Sequence, residues 1–242
     1  MNTRIATAIH PTRAAIAALP ISTNVKIAAS ELGGLGPRVI DLGCGEGKFT
    51  RGLTSLFSDV NGLDVKEAKI VEAQAKADEL SMPVRFIAAS AEAIPFDDAH
   101  FDAVIFSNSL HHMPEPAAAL QEALRTLRAG GLLYVMEPVP SGNYHDATCL
   151  VNDETQVRTQ AYEAMLAMNG AQEEKEILYR APRIFDAFED WRDDQIDRDP
   201  KRQTFFDKDP AKVRATFESN AEHKDGKLVF DQVFRVNILR KG

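Results

Sequence analysis

The sequence predicts an α/β protein built on a doubly wound, mostly parallel sheet. Short apolar runs at 39–42, 60–65, 84–88, 101–106 and 132–136 alternate with segments of helical periodicity. The runs are nearly continuous rather than alternating, as in strands covered on both faces. Strands separated by helices at this spacing read as βαβ units, which assemble into a parallel sheet.

Residues 1–36 are Ala-rich and read as largely helical, broken at Pro11 and Pro20, and they end in the turn cluster GGLGP at 33–37. Val39–Leu42 is the first strand, Phe49–Phe57 a helix and Val60–Val65 the second strand. Lys66–Leu80 is a strong helix, because Ile70, Ala73, Ala77 and Leu80 share one face, and Pro83 ends it. Val84–Ala88 and Phe101–Phe106 are the third and fourth strands. Ala117–Leu127 carries Ala117, Leu120, Leu124 and Leu127 on one helical face, Gly130-Gly131 stops it, and Leu132–Met136 is the fifth strand. After Pro138 the rhythm is lost. EPVPSGNYHD (137–146) reads as a loop, Asp153–Met168 as a helix and 171–225 as charged, irregular and helical in part. Leu228–Leu239 is a final strand with Leu228, Phe230, Phe234, Val236 and Ile238 on one face.

A chain of 242 residues fits one large domain, or a core domain with an insertion. The composition, 44% hydrophobic and 26% charged, is that of an ordinary globular protein. A formal net charge of −8 argues against a sequence-independent nucleic-acid binder. Cys44 and Cys149 form no disulfide framework and have no metal-ligand spacing, so no metal is expected and both read as free thiols. Arg4, His10 and Arg13 interrupt any apolar leader, and no long apolar run exists. The expectation is a cytoplasmic protein without membrane insertion.

The chemistry-bearing stretch is VIDLGCGEGKFT (39–50). A glycine-rich turn after the first strand lets backbone approach a ligand at the carboxyl ends of the strands and permits positive φ. A dinucleotide site wants G-x-G-x-x-G, but Gly43, Gly45 and Gly47 give G-x-G-x-G, and Lys48 stands where the third glycine belongs. A P-loop fails as well, because Gly47-Lys48 is followed by Phe49. The stretch resembles the first motif of the class I S-adenosylmethionine-dependent methyltransferases, acidic-x-G-x-G-x-G, with Asp41, Gly43, Gly45 and Gly47 matching position for position.

That resemblance implies a Rossmann-like, doubly wound seven-stranded sheet, mostly parallel with an antiparallel C-terminal strand. Helical cap elements would lie at the N-terminus and after strand five. It divides the chain into an N-terminal cap (1–36) and a methyltransferase domain (37–242) with an insertion or lid over roughly 139–225. It also implies S-adenosylmethionine as methyl donor and S-adenosylhomocysteine as product. The glycines would clear space for the methionine moiety, with Asp41 near its ammonium and Cys44 as a small space-filler. Asp64, followed by Val65, would take the ribose hydroxyls or, alternatively, cap the helix that follows.

AASAEAIPFDDAHFDAV (88–104) resembles the segment after strand three in the ubiquinone-biosynthesis-type branch, with Ser90 in place of its aspartate. The resemblance puts Ser90, Ala91 and Glu92 beside the adenine. FSNSLHHMPEP (106–116) resembles the fourth motif and its loop, which puts Ser107 and Asn108 near the sulfonium. His112 is the candidate base and His111 a candidate acceptor contact, a loop-fixing hydrogen bond being the alternative for either. Glu137, Tyr144 and His145 are further candidate acceptor contacts. LRAGGLLYV (127–135) resembles the family's turn into strand five, with Ala129 in place of the usual proline.

Methyl transfer from a sulfonium is an in-line displacement that needs alignment and exclusion of water more than a catalytic triad. The expected function is transfer to a nucleophilic atom of a small-molecule acceptor. An NAD(P)-dependent oxidoreductase and a non-catalytic cofactor-binding protein of the same fold are the alternatives.

Overall fold

A computed structural model describes residues 11–242. Two helices, α1 (Arg13–Ala17) and α2 (Asn24–Leu32), precede the sheet, each opened by a threonine, Thr12 and Thr23, whose hydroxyl accepts a first-turn amide. The first ten residues of the expected helical cap lie outside the described part.

The chain then runs β1 (Arg38–Leu42), α3 (Lys48–Gly52), β2 (Asp59–Asp64), α4 (Glu67–Glu79), β3 (Val84–Ala88), β4 (Phe101–Ser107), α5 (Pro116–Thr126) and β5 (Leu127–Pro138). It continues through α6 (Asn143–Thr148), α7 (Thr155–Leu166), β6 (Ala171–Phe185), α8 (Phe188–Arg198), α9 (Gln203–Lys208) and α10 (Pro210–Asn220) to β7 (Glu222–Lys224) and β8 (Lys227–Lys241). The strand order is β3-β2-β1-β4-β5-β8-β6, with the short β7 paired to β8 off this path. The pairs β1–β2, β1–β4, β2–β3 and β4–β5 are parallel, and β7–β8 is antiparallel. The expected seven-stranded Rossmann-like path is present, with β7 as an eighth, three-residue strand beside it.

Leu42 lies opposite Leu63 and Phe106, Asp64 opposite Ala88, and Ser107 opposite Met136. The residues that follow these positions therefore emerge along one edge of the sheet. The chain order reverses between β1 and β4, which makes the gap beyond their ends the topological switch point.

The described residues cluster into two compact units. One comprises 22–137, 160–177 and 235–242; its core includes Val39, Ile40, Leu42, Val104, Ile105, Phe106 and Leu133, all fully buried. The other comprises the residues up to Ile21, 138–159 and 178–234. Its core is aromatic: Tyr144, Phe188, Trp191, Phe206, Phe217 and Phe230 pack with Ala147, Val151 and Val213. Trp191 stacks on Phe217 with centroids 4.5 Å apart and meets Phe206 edge-on at 5.5 Å, so the tryptophan serves packing.

Four expectations need correction. The expected helix 49–57 is a five-residue helix followed by a 3-10 turn at Leu53–Ser55. The helix before strand five ends at Thr126, short of Gly130-Gly131, and β5 already runs through those glycines. Gly130 takes φ +72°, and a Cβ on Gly131 would come within 2.7 Å of Leu127 and 2.9 Å of the Asp102 carbonyl. The loop expected at 137–146 contains the end of β5 and the start of α6. Most of all, 171–185 is a fifteen-residue strand. β6 closes one end of the strand order and most of its residues stay partly exposed, so its charged run EEKE suits an edge that must not pair further.

Trp191→Ala removes the largest fully buried side chain of the aromatic core. Denaturant unfolding followed by circular dichroism should show a loss of about 3–5 kcal/mol. A loss below about 1 kcal/mol would mean that the cluster does not form as described.

Candidate functional site

The glycine turn follows β1 directly. Gly43, Gly45 and Gly47 have φ of +72°, +53° and +70°, in the left-handed region. The amides of Gly43 and Cys44 both donate to the Leu63 carbonyl, at 2.7 and 3.0 Å, which folds the turn over the end of β2. The three glycines do different work. A Cβ on Gly43 would lie 2.6 Å from Cβ of Ser109, and one on Gly47 would lie 2.4 Å from the Phe86 ring. Around Gly45 a Cβ would meet nothing within 4 Å. A Cβ at 43 or 47 would thus strike the protein itself, while around Gly45 there is open space.

Asp41 lies beneath the turn, 1% exposed. Its Oδ2 accepts the Thr50 hydroxyl at 2.6 Å, while Oδ1 is buried without a hydrogen-bond partner. Burial pushes this carboxyl up to about 7, against the Thr50 hydrogen bond and with some help from the Asp64 charge. A buried acceptor with nothing to accept is costly unless something is meant to bind it. Cys44 is wedged in the turn, its sulfur close to Gly62, and burial pushes its thiol up, with the charges of Asp41 and Asp64 adding to the effect. A raised thiol pKa disfavours the reactive thiolate, in keeping with the space-filling role expected of it.

Asp64 ends β2. Its Oδ2 accepts the Gly45 amide at 2.9 Å and its Oδ1 the Lys66 amide at 2.9 Å. The second bond is a turn just ahead of α4; the helix cap itself is Lys66, with no side-chain cap. Each oxygen keeps a further lone pair for a ligand hydroxyl. Val65 is exposed beside it. After β3, the Ser90 hydroxyl accepts the Glu92 amide at 3.1 Å, Glu92 Oε1 accepts the Glu115 amide at 2.8 Å, and Ala91 is buried between them in sequence.

The loop after β4 is clamped to both neighbouring strands. The Ser109 hydroxyl donates to the Leu42 carbonyl of β1 at 2.6 Å. The Asn108 amide donates to the Met136 carbonyl of β5 at 2.7 Å, with Asn108 itself at φ +59°. The Leu110 amide donates to Glu137 Oε1 at 2.7 Å, and His111 Nδ1 is bound to Glu137 Oε2. His111 and Glu137 are 4% and 5% exposed. Both Glu137 oxygens, expected as an acceptor contact, are engaged by the loop. His112 is exposed, its ring centroid 3.9 Å from that of His111. Ser107 Oγ accepts from Asn24 Nδ2 at 2.8 Å, and Asn24 Oδ1 accepts the Tyr134 hydroxyl at 2.6 Å. Asn24 was not legible as a site residue, because a lone asparagine opening a helix carries no ligand signal.

Tyr144 and His145 belong to the other unit. Tyr144 is not a loop contact but a member of the aromatic core, near-parallel to Phe185, with its hydroxyl 3.5 Å from Gln195 Nε2. His145 lies on α6 with Nε2 3.4 Å from the Thr155 hydroxyl.

Comparison with known proteins bears on this arrangement. The family model described as a methyltransferase domain matches residues 40–135, the stretch that holds the turn, Asp64, Ser90–Glu92 and the clamped loop. Residues 40–135 are similar to a methyltransferase domain. The domain is 34% identical over 119 residues to the 27-O-demethylrifamycin SV methyltransferase of Amycolatopsis mediterranei (strain S699), covering 46% of this chain and 44% of that one. It is 34% identical over 102 residues to the ubiquinone biosynthesis O-methyltransferase of Alkalilimnicola ehrlichii, covering 41% of each. The matched stretch thus spans less than half of either relative. Among solved structures, a candidate methyltransferase of Bacillus halodurans C-125 superposes with a TM-score of 0.64 at 21% identity, over 91% of this chain and 99% of that one; it shares the fold.

The site makes three predictions. Asp41 is held protonated by the fold well above its unfolded value of ~3.9, so the native state binds the extra proton. Stability of the ligand-free protein is then highest at acid pH and falls as pH rises through about 7, by an amount on the order of a few kcal/mol. Asp41→Asn should flatten that slope between pH 5 and 8 in urea unfolding, and an unaltered slope would refute the assignment. Gly47→Ala should destabilise the fold through the Phe86 clash. Gly45→Ala should cost only the backbone strain of roughly 1–2 kcal/mol while weakening cofactor binding.

Proposed function

We propose that the protein transfers the methyl group of S-adenosylmethionine to a nucleophilic atom of a small-molecule acceptor. The observation that carries this reading is the unpartnered, fully buried Oδ1 of Asp41 beside a glycine turn whose one open position is Gly45. That arrangement fits a ligand bearing an ammonium group better than one bearing a pyrophosphate. The turn feeds a helix of only five residues with Lys48 at its start, a poor anion cradle next to the long helix of a dinucleotide site.

When bound, the cofactor supplies a sulfonium-activated methyl group. The chain's own residues supply recognition and order. Asp41 would receive the ammonium and Asp64 the ribose hydroxyls. Gly45 would leave room for the methionine chain, and Ser90, Ala91 and Glu92 would border the adenine. Ser107 and Asn108, fixed by Asn24 and the Met136 carbonyl, would stand by the reacting carbon. Clamping the loop in advance converts binding energy into alignment.

A small acceptor is favoured by the net charge of −8, which offers no electrostatic reward for nucleic acid, and by relatives whose names place them on a rifamycin and in ubiquinone biosynthesis. Two free cysteines fit a reducing, cytoplasmic setting, and no helix among the described residues is long and apolar enough to cross a membrane.

Calorimetric titration with S-adenosylmethionine, S-adenosylhomocysteine and NAD tests the reading. The first two should bind and NAD should not; the reverse would overturn it. Asp64→Ala should weaken S-adenosylhomocysteine by about tenfold to a hundredfold, the value of buried hydrogen bonds to a charged group.

A further inference from the structure

The span between β3 and β4, residues 89–100, has no helix or strand of its own, yet it is bound along α5. The last turn of α5 puts Glu122 and Arg125 on one face, three residues apart. Glu122 accepts the Ile94 amide on Oε2 at 3.0 Å. Arg125 Nη2 donates to the Ile94 carbonyl at 2.8 Å, and Nη1 donates to the Phe96 carbonyl at 2.9 Å and to Asp98 at 2.8 Å. Its Nε and Nη2 also donate to the two Glu122 oxygens, at 2.8 and 2.9 Å. All five N–H donors of the guanidinium are thus placed. A lysine has the same charge but not the planar fork that reaches two carbonyls and two carboxylates together. The Arg125 carbonyl in turn accepts the Ala99 amide at 3.0 Å.

Arg125 is a third exposed and Asp98 largely exposed, so these charges contribute little to stability. What the fork supplies is a single course for the main chain. At its other end the span meets the carboxyl end of β2, where the Ala89 amide donates to the Asp64 carbonyl at 3.1 Å. Residues 90–93 then make one turn. The Ala93 amide donates to the Ser90 carbonyl and the Glu92 amide to the Ser90 hydroxyl, each at 3.1 Å, while Glu92 Oε1 accepts the Glu115 amide just ahead of α5. With the Ser90 hydroxyl turned onto Glu92, a purine placed here meets main chain as much as side chain. The course of that main chain then decides what fits.

We propose that Arg125 is a positioning residue for adenine recognition. With Glu122 it fixes 94–98 on α5 and thereby sets the course of 90–92, which tells a 6-amino purine from a 6-oxo one. The proposal rests on the methyltransferase reading, since it takes the purine of that cofactor as the ligand of this span. Arg125 acts only through the main chain it holds.

The test is calorimetric titration of the full chain with S-adenosylhomocysteine and with S-inosylhomocysteine, in which a carbonyl replaces the 6-amino group and N1 gains a proton. The wild-type chain should bind the adenine compound at least about tenfold more tightly, because exchanged donors and acceptors leave polar groups unpaired. Arg125→Lys, which keeps the charge and loses the fork, and Arg125→Gln should bring that ratio below about threefold, the loss falling on the adenine compound. A purely structural role would weaken both compounds alike, and an unchanged ratio would sink the proposal. So would a wild-type chain that binds the two equally. Amide hydrogen exchange on the ligand-free wild-type chain needs no variant to fold: Ile94 and Ala99 should be protected before any ligand is added. Rapid exchange at both would show the span unheld and overturn the proposal. Failure of S-adenosylhomocysteine to bind the wild-type chain would instead overturn the methyltransferase reading.

Discussion

The cofactor end of the sheet depends on one close approach. The backbone of Gly43 passes so near Ser109 that a methyl group between them would sit 2.6 Å from its Cβ, and the Ser109 hydroxyl seals the contact on Leu42. This joins the turn after β1 to the loop after β4 across the switch point. From that contact follow the left-handed turn at 43–47, the placement of Asp41 beneath it, and the fixed course of 108–112 towards Glu137. Any side chain at 43 would separate the turn after β1 from the loop after β4.

Two buried carboxylates at this end are treated in opposite ways. Glu137 has both oxygens engaged within the protein, and it serves to hold other groups. Asp41 has one oxygen engaged and one left over in a place water does not reach. The first is used up within the protein, while Asp41 Oδ1 keeps its accepting capacity. Asp64 is intermediate: each oxygen takes one amide, and each has capacity to spare.

Much of the central sheet was legible because β1, β2, β4 and β5 are covered on both faces, and complete burial leaves an uninterrupted apolar signature. β6 was illegible for the converse reason: at the end of the strand order its side chains are half wet, and Gln172–Glu176 reads as a solvated segment. In the site, Asp41, Asp64 and the spacing of the glycines could be read, since those residue types are rare in such a turn without cause. Which glycines are hemmed in by protein could not, because that depends on Phe86 and Ser109, brought in by other segments. The placement of Tyr144 on a helix and in a core was illegible for a similar reason. Its sequence neighbours, Gly142, Asn143 and Asp146, spell a loop, while Phe185 and Phe230, far along the chain, make it core.

The aromatic cluster has a practical corollary. Trp191 is the only tryptophan of the chain and sits, completely buried, among Phe188, Phe206 and Phe217 in a unit that contains none of the donor-site residues. Ultraviolet emission from this protein is therefore a local gauge. When tryptophan alone is excited it reports the integrity of that unit, while the other unit, whose Tyr134 and Tyr162 answer only to tyrosine excitation, stays silent, so the two can be followed separately by choosing the probe.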